Sequence, residues 1–124
     1  MIGYITLGTN DIRRAGAFYD SLLAELGAKR RIDTETMTLW SAGRGTTSFS
    51  VIKPQDKQPA TVGNGSMVAL TVDSTAKVDA LYKKALELGA KDEGPAGPRS
   101  DTFYAGYFRD LDGNKLCIFC MTKG

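Results

Sequence analysis

A chain of 124 residues with 42% apolar residues, 24% charged residues and a formal net charge of +2 has enough apolar content for an ordinary core and no compositional sign of disorder. Its basic residues stand singly or in pairs (Arg13-Arg14, Arg30-Arg31, Lys83-Lys84), the pattern of a solvated surface and not of a nucleic-acid stripe. No apolar run approaches the roughly 18 residues of a membrane span and no basic, apolar leader opens the chain, so the expectation is a cytoplasmic protein with neither a nucleic-acid nor a membrane partner.

Residues 2–7 alternate around β-favouring types and predict a first strand. Asn10 and Asp11 offer an N-cap, after which Ile12, Ala15, Phe18, Tyr19, Leu22, Leu23 and Leu26 recur at helical spacing until Gly27. Glycine just past the last turn takes positive φ without a Cβ clash and stops the helix. Three short strands are predicted next, over 29–33, 36–41 and 47–53. Residues 54–65, with prolines at 54 and 59 and glycines at 63 and 65, read as a linker.

The same order then returns. A strand over 67–72 leads into a helix capped near Ser74, with Val78, Leu81, Tyr82, Ala85 and Leu86 on its apolar face and a stop at Gly89. The string Glu87-Leu88-Gly89-Ala90-Lys91 repeats Glu25-Leu26-Gly27-Ala28-Lys29, at an offset of 62 residues against 63 at the strands. Such self-similarity marks a duplicated unit. Half a chain of this length is too small to bury a core alone. We therefore read one domain over 1–124, with module one at 1–53, the linker at 54–65 and module two at 66–124. After a short strand, Gly94-Pro95-Ala96-Gly97-Pro98 reads as an ordered loop, and strands over 102–109 and 115–121 close the chain.

The last two strands have a predictable register. A three-residue loop of Leu111, Asp112 and Gly113 suits a hairpin with a left-handed residue in its last loop position. It sets Asp110 opposite Asn114, Arg109 opposite Lys115 and Tyr107 opposite Cys117, with Arg109, Lys115, Tyr107 and Cys117 sharing one sheet face. Phe108, Leu116 and Ile118 on the other face are apolar enough to lie under the helices. The same alternation turns Ile5 and Leu7 inward and leaves Tyr4, Thr6, Met67 and Ala69 outward, and if Leu39 is core, Trp40 joins the outward set. The fourth strand stays open, with either Phe49 or the pair Ser48 and Ser50 facing outward. Aromatics, an arginine and a thiol on an uncovered face fit a small-molecule cleft or a dimer interface. Cys117 and Cys120 lie three apart on one strand and face opposite ways, which excludes a disulfide.

The paired strand–helix–strand–strand–strand order, Gly3-Tyr4-Ile5-Thr6-Leu7 with Asn10-Asp11, Phe18-Tyr19, Leu26-Gly27-Ala28 and the closing Phe108-Arg109-Asp110-Leu111-Asp112-Gly113-Asn114-Lys115 resemble the glyoxalase/bleomycin-resistance/extradiol-dioxygenase superfamily, the vicinal oxygen chelate group. The resemblance implies an α+β fold of two tandem βαβββ modules whose cupped mixed sheets surround a central cavity, helices outside, commonly as a homodimer. It also implies metal-ligand positions, which here match Tyr4, Met67 and Cys117, with Phe49, Ser48 or Ser50 at the fourth. The chain has no histidine, and divalent ions of this chemistry take imidazole and carboxylate donors. The expectation is a family member without metal or other cofactor that binds a small aromatic or anionic molecule through Tyr4, Trp40, Met67, Tyr107, Arg109 and Cys117. The alternatives are a cofactor-independent lyase or isomerase using tyrosine or cysteine as proton carrier, or a metal-dependent enzyme of the family with unusual ligands. Arg99, after Gly97-Pro98, reads either as an anion-binding residue near the cavity mouth or as a surface arginine.

Overall fold

In the computed structural model, which describes residues 1–122, the chain folds as two compact units, the first spanning Met1–Val62 and the second beginning at Gly63. The first contains β1 (Tyr4–Gly8), α1 (Ile12–Ala24), β2 (Lys29–Asp33), β3 (Met37–Ser41) and β4 (Ser48–Ile52). The second repeats that order with β5 (Val68–Thr71), α2 (Thr75–Glu87), β6 (Lys91–Pro98), β7 (Phe103–Arg109) and β8 (Lys115–Met121). Each unit has one four-stranded mixed sheet, ordered β1-β4-β3-β2 and β5-β8-β7-β6. The first and last strands of each unit pair in parallel and the others antiparallel. This is the duplicated βαβββ architecture the sequence predicts.

The repeated pentapeptide forms the same turn twice. At the end of α1 the N–H groups of Gly27 and Ala28 bond to the carbonyls of Ala24 and Leu23, and at the end of α2 those of Gly89 and Ala90 bond to Leu86 and Ala85. With φ of +76° at Gly27 and +104° at Gly89, both are left-handed glycine stops that satisfy the last carbonyls of the helix. At the other end, Asp11 caps α1 by accepting from the Arg14 N–H and Ser74 caps α2 by accepting from Lys77. Asn10 has a different task from the predicted cap. It accepts from the Ala60 N–H and donates to the Ala60 carbonyl, at 2.6 and 3.2 Å, tying the linker back to the start of α1.

Each helix buries its apolar stripe on one face of its own sheet. Phe18, Tyr19, Leu22 and Leu23 of α1 are buried, and Tyr19 packs against Trp40 and Phe49 with ring centroids 5.8 and 4.6 Å apart. In the second unit Val78, Leu81 and Ala85 pack on β6, β7 and β8, where Phe108, Leu116 and Ile118 are fully buried. The Tyr82 ring lies over Gly106, where a Cβ would stand 3.0 Å from it.

The predicted loop at 94–98 is instead the second half of β6, paired with β7 through two register shifts. Its prolines are tolerated because β6 is an edge strand, where a missing N–H leaves no ladder bond unmade. The β7–β8 hairpin has the predicted register: Asp110 donates its N–H to Asn114 at 2.9 Å, and the Asp110 carboxylate accepts from the backbone of Asp112 and Asn114. Among the described residues no helix is long and apolar enough to cross a membrane.

Candidate functional site

The chemistry-bearing residues of the second unit collect on the sheet face turned away from α2. Strand alternation sends Tyr104, Phe108, Leu116 and Ile118 toward the helix, and the Tyr104 hydroxyl reaches Asp79 of α2 at 2.7 Å. The opposite face carries, in successive cross-strand rows, Arg109 with Lys115, Tyr107 with Cys117, Ala105 with Phe119 and Phe103 with Met121. Ala69 of β5 lies beside Cys117 on the same face.

Tyr107 is the centre of this face. The Arg99 guanidinium lies 5.3 Å and the Lys115 ammonium 5.5 Å from its ring centroid. Both distances fall within the range in which a cation is attracted by an aromatic ring. Arg99 belongs to the β6–β7 turn and Lys115 to β8, so Tyr107 receives a cation from each flank of its strand. Arg99 is fixed by bonds from Nη1 to the Gly97 carbonyl and from Nη2 to the Pro95 carbonyl, at 3.0 and 2.6 Å. The Arg109 Nε bonds to the Glu93 carboxylate and its Nη1 to the Gly113 carbonyl. Glu93 is held below the usual carboxylate range, first by that hydrogen bond, with Lys115 and Lys91 adding at longer range.

Cys117 forms the floor, only 1% exposed. Burial pushes its thiol up, against the Tyr107 hydroxyl and the Arg99 and Lys115 charges, which favour the thiolate. Burial also raises the Tyr107 phenol, and the neighbouring thiol adds to the effect. Neither group gives up its proton near neutrality, so the cross-strand pair is a neutral surface between two cations.

Tyr4 is 61% exposed and pairs with Ser48, and Thr6 pairs with Ser50, the two hydroxyls 2.8 Å apart. Phe49 turns to the helix, which resolves the open question on the fourth strand: Ser48 and Ser50 lie on the far face.

Trp40 corrects the sequence reading. It is 1% exposed and faces α1, with its ring against Tyr19 and its indole N–H bonded to Asp20 at 2.8 Å. Leu39 takes the far face opposite Ser50. A buried indole needs an acceptor, and Asp20 of α1 provides it. Trp40 is therefore a core residue of the first unit. Met67 lies one residue before β5, 45% exposed. Two clefts also open in the first unit, one of about 820 Å³ beside Arg13, Arg30 and Glu35 and one of about 460 Å³ beside Lys53 and Lys57, and neither includes an expected site residue.

Sequence reasoning underweighted Arg99 and Lys115. Lys115 was legible on the hairpin face, but its closeness to the Tyr107 ring depends on the twist of the sheet. Arg99 reaches Tyr107 only because the Gly-Pro stretch is strand and brings residue 99 alongside β7.

Two mixed four-stranded sheets, each with its first and last strands paired in parallel and each covered by one helix, define the tandem βαβββ class of protein. The chain belongs to the Glyoxalase/Bleomycin resistance protein/Dioxygenase superfamily, whose family profile matches residues 1–118. It is similar to a glyoxalase/bleomycin resistance protein from Albidiferax ferrireducens T118, at 32% identity over 97% of this chain and 98% of that one, with a TM-score of 0.88. A hypothetical protein, SA1046, from S. aureus shares 25% identity over 97% of this chain and 92% of that one, at a TM-score of 0.74. A lactoylglutathione lyase from Agrobacterium tumefaciens shares the fold at 20% identity, over 97% and 92% of the two chains, with a TM-score of 0.74. No curated protein sequence matches the chain significantly.

Proposed function

We propose that this protein is a metal-independent member of its superfamily that binds a small anionic, partly aromatic molecule on the face of its second sheet turned away from α2. The observation that carries the reading is Tyr107, flanked by Arg99 and Lys115 above a buried Cys117. Apolar and aromatic surface with a few placed polar groups is the usual composition of a small-molecule site.

The metal-ligand positions implied by the family hold Tyr4, Met67 and Cys117, with Ser48 or Ser50 at the fourth now that Phe49 turns to the helix. A phenol, a thioether, a thiol and a hydroxyl do not match the imidazole and carboxylate donors that Fe, Mn, Zn or Ni sites of this chemistry use. Among the described residues no three His, Cys, Asp or Glu side chains converge. Binding is favoured over cofactor-free proton transfer on this face because two of the three candidate proton carriers Tyr4, Tyr107 and Cys117, namely Tyr107 and Cys117, hold their protons more tightly than usual.

A thermal-shift screen tests this, with divalent metals, a chelator and a panel of small aromatic and anionic compounds. Stabilisation by a ligand at about 100 times its Kd is ~2.7 kcal/mol. The expected result is stabilisation by an organic compound, unchanged by chelator and lost in Tyr107→Ala. Strong stabilisation by a divalent metal alone defeats the reading.

A further inference from the structure

The layout of this same face goes further than the binding reading on which it rests, because it specifies both the charge and the orientation of the ligand. Its rows run from cationic to apolar along the strands: Arg109 with Lys115, then Tyr107 with Cys117, then Ala105 with Phe119, then Phe103 with Met121. At the apolar end the Phe103 and Phe119 rings stack with centroids 5.3 Å apart, and Met121 is 60% exposed.

Cations are in excess on this face, and Arg99, whose N–H bonds to the Phe103 carbonyl, reaches back along the strand to the Tyr107 ring. Arg109 is bonded to Glu93, whereas Arg99 and Lys115 have no ion pair among the described residues. Glu93 senses Lys115 only at longer range. With Lys91, which pairs with Arg109 in the same row, four cations thus stand against one carboxylate. Arg99 is also pre-positioned. Its two bonds go to neutral carbonyls, so its charge is not cancelled, and of its five N–H donors three stay available. It sits against glycine backbone, where a Cβ on Gly94 would stand 3.4 Å from Nη2 and one on Gly97 3.5 Å from Nη1. A guanidinium held in this way loses little freedom when it binds an anion.

We infer that the ligand is an amphiphilic organic acid, its carboxylate held between Arg99 and Lys115 beside Tyr107 and its aromatic or branched body lying along the sheet over Phe119 toward Phe103. Rows two residues apart are separated by about 7 Å, so an acid on the order of 10 Å long spans the cationic and apolar rows. An inorganic anion uses only one end of this face, and a neutral aromatic uses only the other.

The test is titration of the full chain, with ¹⁵N-labelled amides observed by NMR, using 3-phenylpropanoate, 3-phenylpropanamide and acetate as probes. The acid shifts the Tyr107, Cys117 and Phe119 amides and binds about tenfold or more tightly than the amide, a charge-assisted contact being worth at least that much. Arg99→Gln and Lys115→Met, both at partly or fully exposed positions, each weaken the acid by a similar factor and leave the amide unchanged. Phe119→Ala weakens acid and amide together. Equal affinity for acid and amide overturns the inference, as does acid binding untouched by both cation variants. Binding of the neutral amide alone on this face removes the inference and keeps the small-molecule reading, whereas silence from every probe at millimolar concentration counts against both.

Discussion

The Trp40 indole donates its N–H to the Asp20 carboxylate at 2.8 Å, joining the third strand of the first unit to the helix that covers it. The same carboxylate takes two bonds from Arg30, at 2.8 and 2.9 Å, and Arg30 also lies over the Trp40 ring at 5.8 Å. Asp20 is thus a hub for α1, β2 and β3. Partial burial pushes its carboxyl up, but the hydrogen bonds from Arg30 and Trp40 outweigh this and hold it below the usual range.

Asp20→Ala is expected to destabilise the protein by about 1–3 kcal/mol, the range for leaving a buried donor such as the indole N–H unmatched. The Arg30 pair is part-exposed and adds at most about 1 kcal/mol. Asp20→Asn keeps an acceptor for the indole and is milder. The sign with pH follows from the depressed value: Asp20 contributes fully above its unfolded pKa and loses that contribution as pH falls through the folded one. Urea melts at neutral and acid pH check both points. The gap between wild type and Asp20→Asn narrows as the pH drops, and a constant gap contradicts the assignment.

How much of this was legible depended on whether a signal was local. The duplication, both glycine stops and the β7–β8 register follow from spacing within one or two elements, and the sequence reading of Tyr107, Arg109, Lys115 and Cys117 on one face holds in the pairing. The side of β3 that bears Trp40 was not local. Leu39 and Trp40 are adjacent and both apolar, so alternation alone could not choose between them, and the choice rests on Asp20, twenty residues earlier on α1. The Gly94–Pro98 stretch failed for a related reason. Its composition is that of a turn, and only its position at a sheet edge makes it strand.

The two helix stops separate backbone strain from crowding. Gly27 and Gly89 both have positive φ, so alanine at either is expected to cost about 1 kcal/mol or more from the left-handed backbone alone. They differ in surroundings. A Cβ at Gly27 meets nothing within 4 Å, whereas at Gly89 it stands 3.1 Å from a Leu111 methyl. Gly89→Ala should therefore be the more destabilising, and the double variant should lose about the sum. Thermal melts of the three variants read this directly, and the reverse order contradicts it.

On the alkaline side the protein should lose stability through its tyrosines. Tyr82 is pushed up to about 12, first by desolvation and then by its bond to Asp92. Below its ordinary value both folded and unfolded chains keep the proton and no pH dependence arises. Between about 10 and 12 the unfolded chain loses the proton while the folded one holds it, so stability falls as pH rises. Tyr104, Tyr107 and Cys117 are shifted in the same direction. Tyr82→Phe should therefore show a shallower alkaline decline without flattening completely. A decline parallel to wild type across that window assigns the slope to the other groups.

The Tyr107–Cys117 pair makes the last prediction, and it concerns the floor of the candidate site. Burial raises the Cys117 thiol, while the neighbouring Tyr107 hydroxyl and the Arg99 and Lys115 charges partly oppose the shift. The thiolate is the reactive form, so native Cys117 should be alkylated by iodoacetamide only well above the pH at which a free thiol reacts, and slowly because it is 1% exposed. Tyr107→Phe removes a donor that favours the thiolate and should move the reactivity midpoint still higher. Arg99→Gln should move it the same way through loss of charge. Mass spectrometry with fragmentation between Cys117 and Cys120 assigns the label to one sulfur. If Tyr107→Phe leaves the midpoint unchanged or lowers it, the hydroxyl does not act on the thiolate, and Tyr107 serves this face through its ring alone.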